Sequence, residues 1–352
     1  MRIQNREELN QIRDIAAAKV SSTKCRILIC AGTGCLAGGS GEIYEKMCEL
    51  TKDCKDVDVE FGAEIAHSNG DIQKNSNGDK AEAVPANEIP VAVKRSGCHG
   101  FCEMGPLMRI EPLGILYTKV KLEDCEAIFE RTIKHGDIIH HLLYKQDGIE
   151  YPKQEEIPFY EKQTRLVLKN CGHIDAEHIE EYIAVGGYQS FAKVLFEQTP
   201  NDVIEIILES NLRGRGGGGF QTGYKWKQVA RQPEKTRYIV CNGDEGDPGA
   251  FMDRSIMEGD PHKMIEGMLI AAYAVGAQEG YIYVRAEYPL AISRLRLAIS
   301  QAEDRGLLGE NILGTDFSFH LHINRGAGAF VCGEGSALTA SIEGKRGMPR
   351  VK

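Results

Sequence analysis

From residue 237 onward the chain alternates strand and helix so regularly that few architectures can hold it. Short β-branched and aromatic runs at 237–241, 281–284 and 317–323 read as strands, and apolar stretches of helical period at 262–275 and 290–305 separate them. Another helix begins near Ser336. Strands joined by helix-length crossovers form a parallel sheet. Ligands of such sheets gather beyond the carboxyl ends of the strands, where this sequence places two unusual loops, 242–249 and 326–335.

Ahead of this alternation lies Gly214-Arg215-Gly216-Gly217-Gly218-Gly219-Phe220, followed by Lys225 and Trp226. Glycine inside an element costs roughly 0.5–1 kcal/mol relative to alanine, so an unbroken run marks a backbone that something flat or phosphorylated must approach. Gly214, Gly216 and Gly219 satisfy G-x-G-x-x-G, but the dinucleotide reading of that pattern needs a strand immediately before it. Residues 202–209 instead space their apolar side chains as a helix does, with Asn201 or Asp202 as N-cap. The loop follows a helix, and a standard dinucleotide fold is the wrong first reading.

The 352 residues, 42% hydrophobic and 26% charged, suit a soluble chain of two or three domains. A polar stretch at 1–11 argues against a signal peptide, and the most apolar run, 268–277, is too short to span a bilayer. A net charge of -9 with no basic stripe speaks against a nucleic-acid partner. Eleven cysteines without a secretory signal point to a reducing, cytoplasmic setting, where thiols bind metal or sit buried.

Residues 1–135 read as a separate small α/β domain. A helix at 1–23 precedes a strand at 26–29, a helix at 41–50 and a strand at 57–61. A polar, glycine-containing stretch at 66–88 reads as a mobile insertion. A strand at 91–94, a hairpin over 107–120 turning at 112–114, and a helix at 122–134 complete an order that resembles a thioredoxin-like fold. Residues 136–163, with Pro152 and Pro158, read as a linker over the surface of a second domain that spans 164–352.

Cys30-x4-Cys35 and Cys98-x3-Cys102 place four thiols on two loops, each at the end of an expected strand. Zinc favours tighter Cys pairs, whereas these gaps leave room to wrap a two-iron cluster. Ala31, Gly32, Gly34, Gly97 and Gly100 leave backbone N–H groups able to point at sulfides. The readings are a [2Fe-2S] cluster, structural zinc or buried free cysteines. His99 reads as a group behind the ligands, or an exposed one, rather than a ligand itself. His320 and His322 share a strand face, a spacing more often met in packing or exposure than in metal binding.

With the cysteine pattern and the glycine loop in one chain, the sequence resembles the NADH-binding flavoprotein subunit of complex I and its soluble relatives. In layout it is most similar to the beta subunits of electron-bifurcating or NAD(P)-reducing [FeFe]-hydrogenases. The resemblance rests on Cys30 to Cys35, Gly97 to Cys102, Gly214 to Trp226, Asn242 to Gly249 and Gly326 to Leu338. It implies a thioredoxin-like [2Fe-2S] domain, with Cys30, Cys35, Cys98 and Cys102 as ligands, followed by a Rossmann-like parallel α/β domain for FMN and NAD(P)H. FMN would be held by Gly214, Gly216, Lys225, Asn242, Asp244, Glu245, Gly333 and Glu334, and NAD(P)H by Phe220, Asp247 and Gly335. Gly333 and the N–H groups opening the next helix would offer an anion site, and Lys225 a positive charge near phosphate or flavin. Asp244, Glu245 and Glu334 would bond ribityl or ribose hydroxyls, Phe220 would stack on adenine, and Trp226 would pack beneath the site.

The implied activity is hydride transfer between NAD(P)H and FMN, followed by single-electron transfer to iron–sulfur clusters. No side chain acts as acid or base, since FMN is the reactive centre. Implied partners are a hydrogenase or other catalytic iron–sulfur subunit and a small [2Fe-2S] subunit, with ferredoxin reached through the complex. A diaphorase subunit of a formate dehydrogenase, transhydrogenase or complex I shares every motif, and a non-enzymatic electron carrier or docking module is the rival from another class. Gln228 stands where the family has a second aromatic, Asp247 stands for Glu, and Glu334-Gly335 replaces paired glutamates. Loss of the second carboxylate removes a barrier against a 2'-phosphate, so NADP(H) use or dual specificity is expected. The family continues past residue 352 into ubiquitin-like and [4Fe-4S] domains, so the chain reads as C-terminally incomplete.

Overall fold

The computed structural model describes residues 2–54 and 90–351. The strand expected at 57–61 and the insertion expected at 66–88 lie outside the described residues. The chain separates into two units, one of Ile15–Asp175, the other of Arg2–Asp14 with the residues from Ala176 onward.

The apolar sequence CRILIC cannot sit at a wet edge, and β1 (Cys25–Cys30), which follows α1 (Arg6–Ser22), is the buried second strand of a four-stranded sheet. Helices α2 (Thr33–Ala37) and α3 (Ser40–Thr51) follow it. β2 (Val91–Ser96) pairs parallel to β1, with Cys30 opposite Ser96. β3 (Met108–Glu111) pairs antiparallel on the other side and leads through the expected hairpin to β4 (Ile115–Tyr117). Ile43 and Met47 on α3 bury against Ile27, Ile29 and Met108. The two thiol loops therefore leave neighbouring parallel strands at the same end. The helix expected over 122–134 is irregular: a 3-10 turn, the short α4 (Cys125–Ala127) and a π-helical turn, Ile128–Ile133. In that turn the Thr132 hydroxyl is bound to Tyr117 Oη at 2.7 Å and donates to the Asp137 carbonyl.

Residues 136–163 differ from the linker expected of them. They form a hairpin, β5 (Tyr144–Gln146) with β6 (Ile149–Tyr151), and then α5 (Pro158–Glu161). The Leu116 and Thr118 N–H groups donate to the Pro152 and Leu142 carbonyls, so this segment extends the first unit's sheet beyond β4. Ile139, Leu142, Leu143 and Ile157 are buried in its cores. Those four apolar side chains outweigh the prolines that suggested a linker.

In the second unit α6 (Ile179–Ala184), α7 (Gln189–Glu197), α8 (Pro200–Glu209) and α9 (Thr222–Ala230) precede a parallel sheet in the order β7 (Tyr238–Gly243), β8 (Glu279–Arg285), β9 (His320–Gly326). α10 (Met252–Gly259) and α11 (Pro261–Val275) connect the first pair of strands, α12 (Pro289–Asp304) the second, and α13 (Gly335–Ile342) follows β9. The alternation read from sequence is present, and the fold is mixed α/β with parallel pairing. α8 begins two residues earlier than expected, because Thr199 caps it: its Oγ1 accepts from Asp202 N, and Asp202 Oδ2 accepts from Thr199 N at 2.9 Å. Pro200, which has no N–H to leave unsatisfied, suits the first helical position. The buried Glu266 carboxylate on α11 accepts from the N–H groups of Tyr188 and Phe191 and from Tyr182 Oη, tying α6 and α7 to the helix behind the sheet.

Candidate functional site

In the first unit the four predicted thiols converge. Cys30 ends β1, Cys35 lies in α2, and the chain after β2 carries Cys98 and Cys102. Cys98 Sγ lies 3.4 Å from Cys102 Sγ, and Gly100 N donates to Cys98 Sγ at 3.3 Å. Cys30 and Cys35 are 1% exposed and Cys98 8%, while Cys102 is open to solvent. A hydrogen bond with Cys35, then burial, pushes Cys30 up to about 12, and the same bond draws Cys35 down. The bond from Cys102 lowers Cys98, but its contact with Cys30 and burial prevail and carry it to about 11. Glycine is required around them: a Cβ on Gly105 would lie 2.7 Å from Cys35 Sγ, and one on Gly32 2.9 Å from Cys98 Cβ. Among the described residues no group of three or more His, Cys, Asp or Glu side chains is set to hold a metal ion.

His99 is fully buried rather than exposed, with Nε2 2.9 Å from Ser96 Oγ and Nδ1 3.2 Å from Gln154 Oε1. Burial pulls it down to about 3, so it stays neutral and props the thiol loop. Arg165 clamps the same loop by donating to the His99 carbonyl at 2.5 Å. His320 and His322 do not pair on a common ligand; they face Glu310 and Glu279 respectively.

The glycine run of the second unit is the tip of a closed loop between α8 and α9. Gly214 N donates to the Phe220 carbonyl at 2.9 Å, Thr222 N donates to that of Leu212, and Arg213 Nη1 reaches the Gly219 carbonyl at 3.2 Å. Gly223 lets the helices touch, since its Cβ would lie 2.6 Å from Leu208 N. Gly217 and Gly219 have φ of +92° and +59°, which explains glycine at those two positions. Gly216 and Gly218 have no such φ, and a Cβ on either would meet nothing within 4 Å. The chain's own packing does not demand glycine there.

A cleft of about 820 Å³ opens where this loop meets the loops leaving β7 and β9. Asn242 ties the latter two, donating from Nδ2 to the Gly333 carbonyl at 2.9 Å while its Oδ1 accepts from Asp244 N. Gly246 and Gly333 allow close approach, with a Gly246 Cβ 2.7 Å from Phe330 Cδ2 and a Gly333 Cβ 3.4 Å from the Asp244 carbonyl oxygen. Asp244 Oδ2 is buried and has no hydrogen-bond partner among the described residues. Burial pushes its carboxyl up, opposed by Arg285. A buried acceptor left open in a cleft fits a ligand hydroxyl or N–H.

Gly216, Asn242, Asp244, Glu245, Asp247, Gly333 and Glu334 of the expected residues line the cleft. Two of them have carboxylates already engaged, contrary to the hydroxyl-binding role expected. Glu245 caps α10, accepting from the N–H groups of Asp253 at 3.0 Å and Arg254 at 3.2 Å and from Tyr288 Oη. Glu334 caps α13 through the N–H groups of Ser336 and Ala337, which leaves no anion site at that helix start. Gly214, Phe220, Lys225 and Gly335 are not among the lining residues. Lys225 borders a second cavity of about 430 Å³, with Trp226, on the α11 side of β7. Trp226 packs against the cluster of Val194, Val203, Ile204 and Ala274, as expected. Phe220 is 54% exposed, its ring 6.1 Å from that of Tyr224, and Gly335 faces open space. Sequence reasoning missed Arg215, Asp253 and the exposed apolar lining of Phe251, Met252, Phe330 and Val331. The sequence signal available was a large aromatic, Phe330, in the otherwise small-residue loop Gly326-Ala327-Gly328-Ala329.

The Nuo51 FMN-binding domain family matches residues 207–352, the segment that carries all three loops. The chain is 54% identical over 191 residues to the NADP-reducing hydrogenase subunit HndC of Solidesulfovibrio fructosivorans, covering 54% of this chain and 39% of that one. It is 50% identical over 187 residues to the NADH-quinone oxidoreductase F 2 subunit of Rhizobium meliloti, covering 53% and 44%. The chain thus spans less than half the length of these relatives. An NAD+-reducing [NiFe]-hydrogenase in its H2-reduced state aligns over 98% of this chain and 53% of its own at 22% identity, with a TM-score of 0.43, too distant a likeness to establish a shared fold. Residues 207–352 thus match the Nuo51 FMN-binding domain family, and over about half of its length the chain is similar, at about 50% identity, to NADH-quinone oxidoreductase F subunits and to HndC.

Proposed function

We propose that this chain is the NAD(P)H-oxidising flavoprotein part of a multi-subunit oxidoreductase, with FMN in the cleft of the second unit. The observation that carries the reading is Asp244 Oδ2, a buried acceptor without a partner on the wall where the three loops of the FMN-binding segment meet. Bound FMN supplies the means to take a hydride from nicotinamide and release electrons singly. The chain's own residues bind and orient. Asp244 accepts from a ligand hydroxyl, and Asn242 fixes the distance between two loops. Gly216 and Gly217 let a flat ring approach the backbone, and Phe251, Met252, Phe330 and Val331 offer it an apolar surface that keeps water away. Cys30, Cys35, Cys98 and Cys102 would hold a [2Fe-2S] cluster in a thioredoxin-like unit, and the Gly100 N–H, which donates to Cys98 Sγ, would help carry the cluster's negative charge.

Similarity to HndC, a subunit of an NADP-reducing hydrogenase, supports a hydrogenase complex with catalytic and iron–sulfur partner subunits. Similarity to the F subunits supports a complex I-like assembly as the second reading. The nucleotide is NADP(H), or both dinucleotides, since Gly335 places no carboxylate against a 2'-phosphate. No described helix is long and apolar enough to cross a membrane.

The test is FMN titration of the full-length protein, followed by quenching of flavin fluorescence. Saturable one-to-one binding is expected, weakened about tenfold or more in Asp244→Ala, the loss of one hydrogen bond to a charged acceptor. Binding unaffected by that substitution would remove Asp244 from the site.

A further inference from the structure

The cleft wall carries five carboxylates, those of Asp244, Glu245, Asp247, Asp253 and Glu334. A ligand bearing phosphate meets repulsion there unless a fixed cation answers it. Lys225, the cation expected from sequence, borders the other cavity. Arg213 is occupied in closing the glycine loop on the Gly219 carbonyl. Arg215 differs from both. It is the only Lys, Arg or His among the described residues lining the cleft, and it is exposed there. It makes no hydrogen bond or ion pair with any described residue, so its guanidinium fork is unspent. Gly214 and Gly216 flank it, and no side chain from either crowds an incoming group. A guanidinium presents planar paired donors that match phosphate oxygens.

We propose that Arg215 is the cation that holds the phosphate of the nucleotide bound in this cleft. That phosphate is FMN's monoester or the dinucleotide's diphosphate, and the inference rests on the FMN and NAD(P)H reading above. The arginine offsets the acidic wall from the glycine-rich tip of the loop. It thereby orients the ligand with its hydroxyl-bearing part toward Asp244.

The test compares full-length wild type with Arg215→Ala and Arg215→Lys, using FMN, riboflavin and, on FMN-loaded protein, NADPH and NADH as titrants. If Arg215 holds the FMN monoester, Arg215→Ala loses about 10- to 100-fold in FMN affinity with riboflavin affinity unchanged, the scale of one charge-assisted contact. If it holds the diphosphate, FMN affinity stays and dinucleotide affinity falls by a similar factor. In either case Arg215→Lys recovers part of the loss, and the thermal midpoint of the ligand-free protein does not move. Unchanged affinities in Arg215→Ala, or equal losses for FMN and riboflavin, overturn the proposal. Wild type that binds neither FMN nor dinucleotide overturns the flavin reading itself, and the role of Arg215 with it.

Discussion

Carboxylates one residue apart have opposite tasks in this cleft. Asp244 leaves an oxygen buried and open, whereas Glu245 spends both of its oxygens on the start of α10. Sequence treated them alike, because a motif gives residue types and not the direction in which each side chain leaves the loop. Gly335 is a second residue whose role turns on what is missing. Its Cβ position meets nothing within 4 Å, so Gly335→Glu is sterically tolerated and serves as a clean probe of nucleotide choice. Restoring a carboxylate should lower kcat/KM for NADPH about tenfold or more relative to NADH, through repulsion of the 2'-phosphate. Equal effects on the two substrates would show that position 335 does not read the phosphate.

At the scale of elements, the site depends on how α10 and α13 begin. Both helices take their N-terminal cap from a glutamate of the preceding loop, so each cap fixes the loop as well as the helix. Glu245→Ala is expected to cost about 1–3 kcal/mol of stability, from lost caps on the Asp253 and Arg254 N–H groups and the lost Tyr288 partner. A thermal midpoint lower by a few degrees, about 2–4 °C per kcal/mol for a unit of this size, would register it. A midpoint equal to wild type would mean that α10 is held by packing alone. The parallel alternation after residue 237 was legible because 2.0 and 3.6 periods differ plainly in apolar runs such as those of β8 and α11. The cap of α8 was misplaced by two or three residues, since Asn201 and Asp202 are equally good caps by type and only the Thr199–Asp202 pair decides. The 136–163 segment was misread because prolines announce turns whether or not the intervening Ile139, Leu142 and Leu143 bury.

Over the whole molecule, two sites of different chemistry sit in two separately cored units. The convergence of four thiols was legible from spacing, and His99 as a group behind them; the contacts of Gln154 and Arg165 with His99 were not, because those two residues come from distant sequence. The cleft of the second unit was legible as three loops, yet Arg215 was not, since only the folded loop shows that Arg215 lines the cleft while Lys225 borders the other cavity. If Cys98 and Cys102 ligate a two-iron cluster, Cys98→Ser and Cys102→Ser should each abolish or shift its visible and EPR signals while leaving FMN affinity unchanged. Unaltered signals in both variants would place any cluster elsewhere.

The most direct measurement is anaerobic addition of NADPH, and separately NADH, to the FMN-loaded full-length protein while the flavin band near ~450 nm is followed. Bleaching by about one equivalent of at least one dinucleotide is the expected result. FMN that binds in the cleft and stays oxidised with both would contradict the assignment of this chain as an NAD(P)H-oxidising flavoprotein.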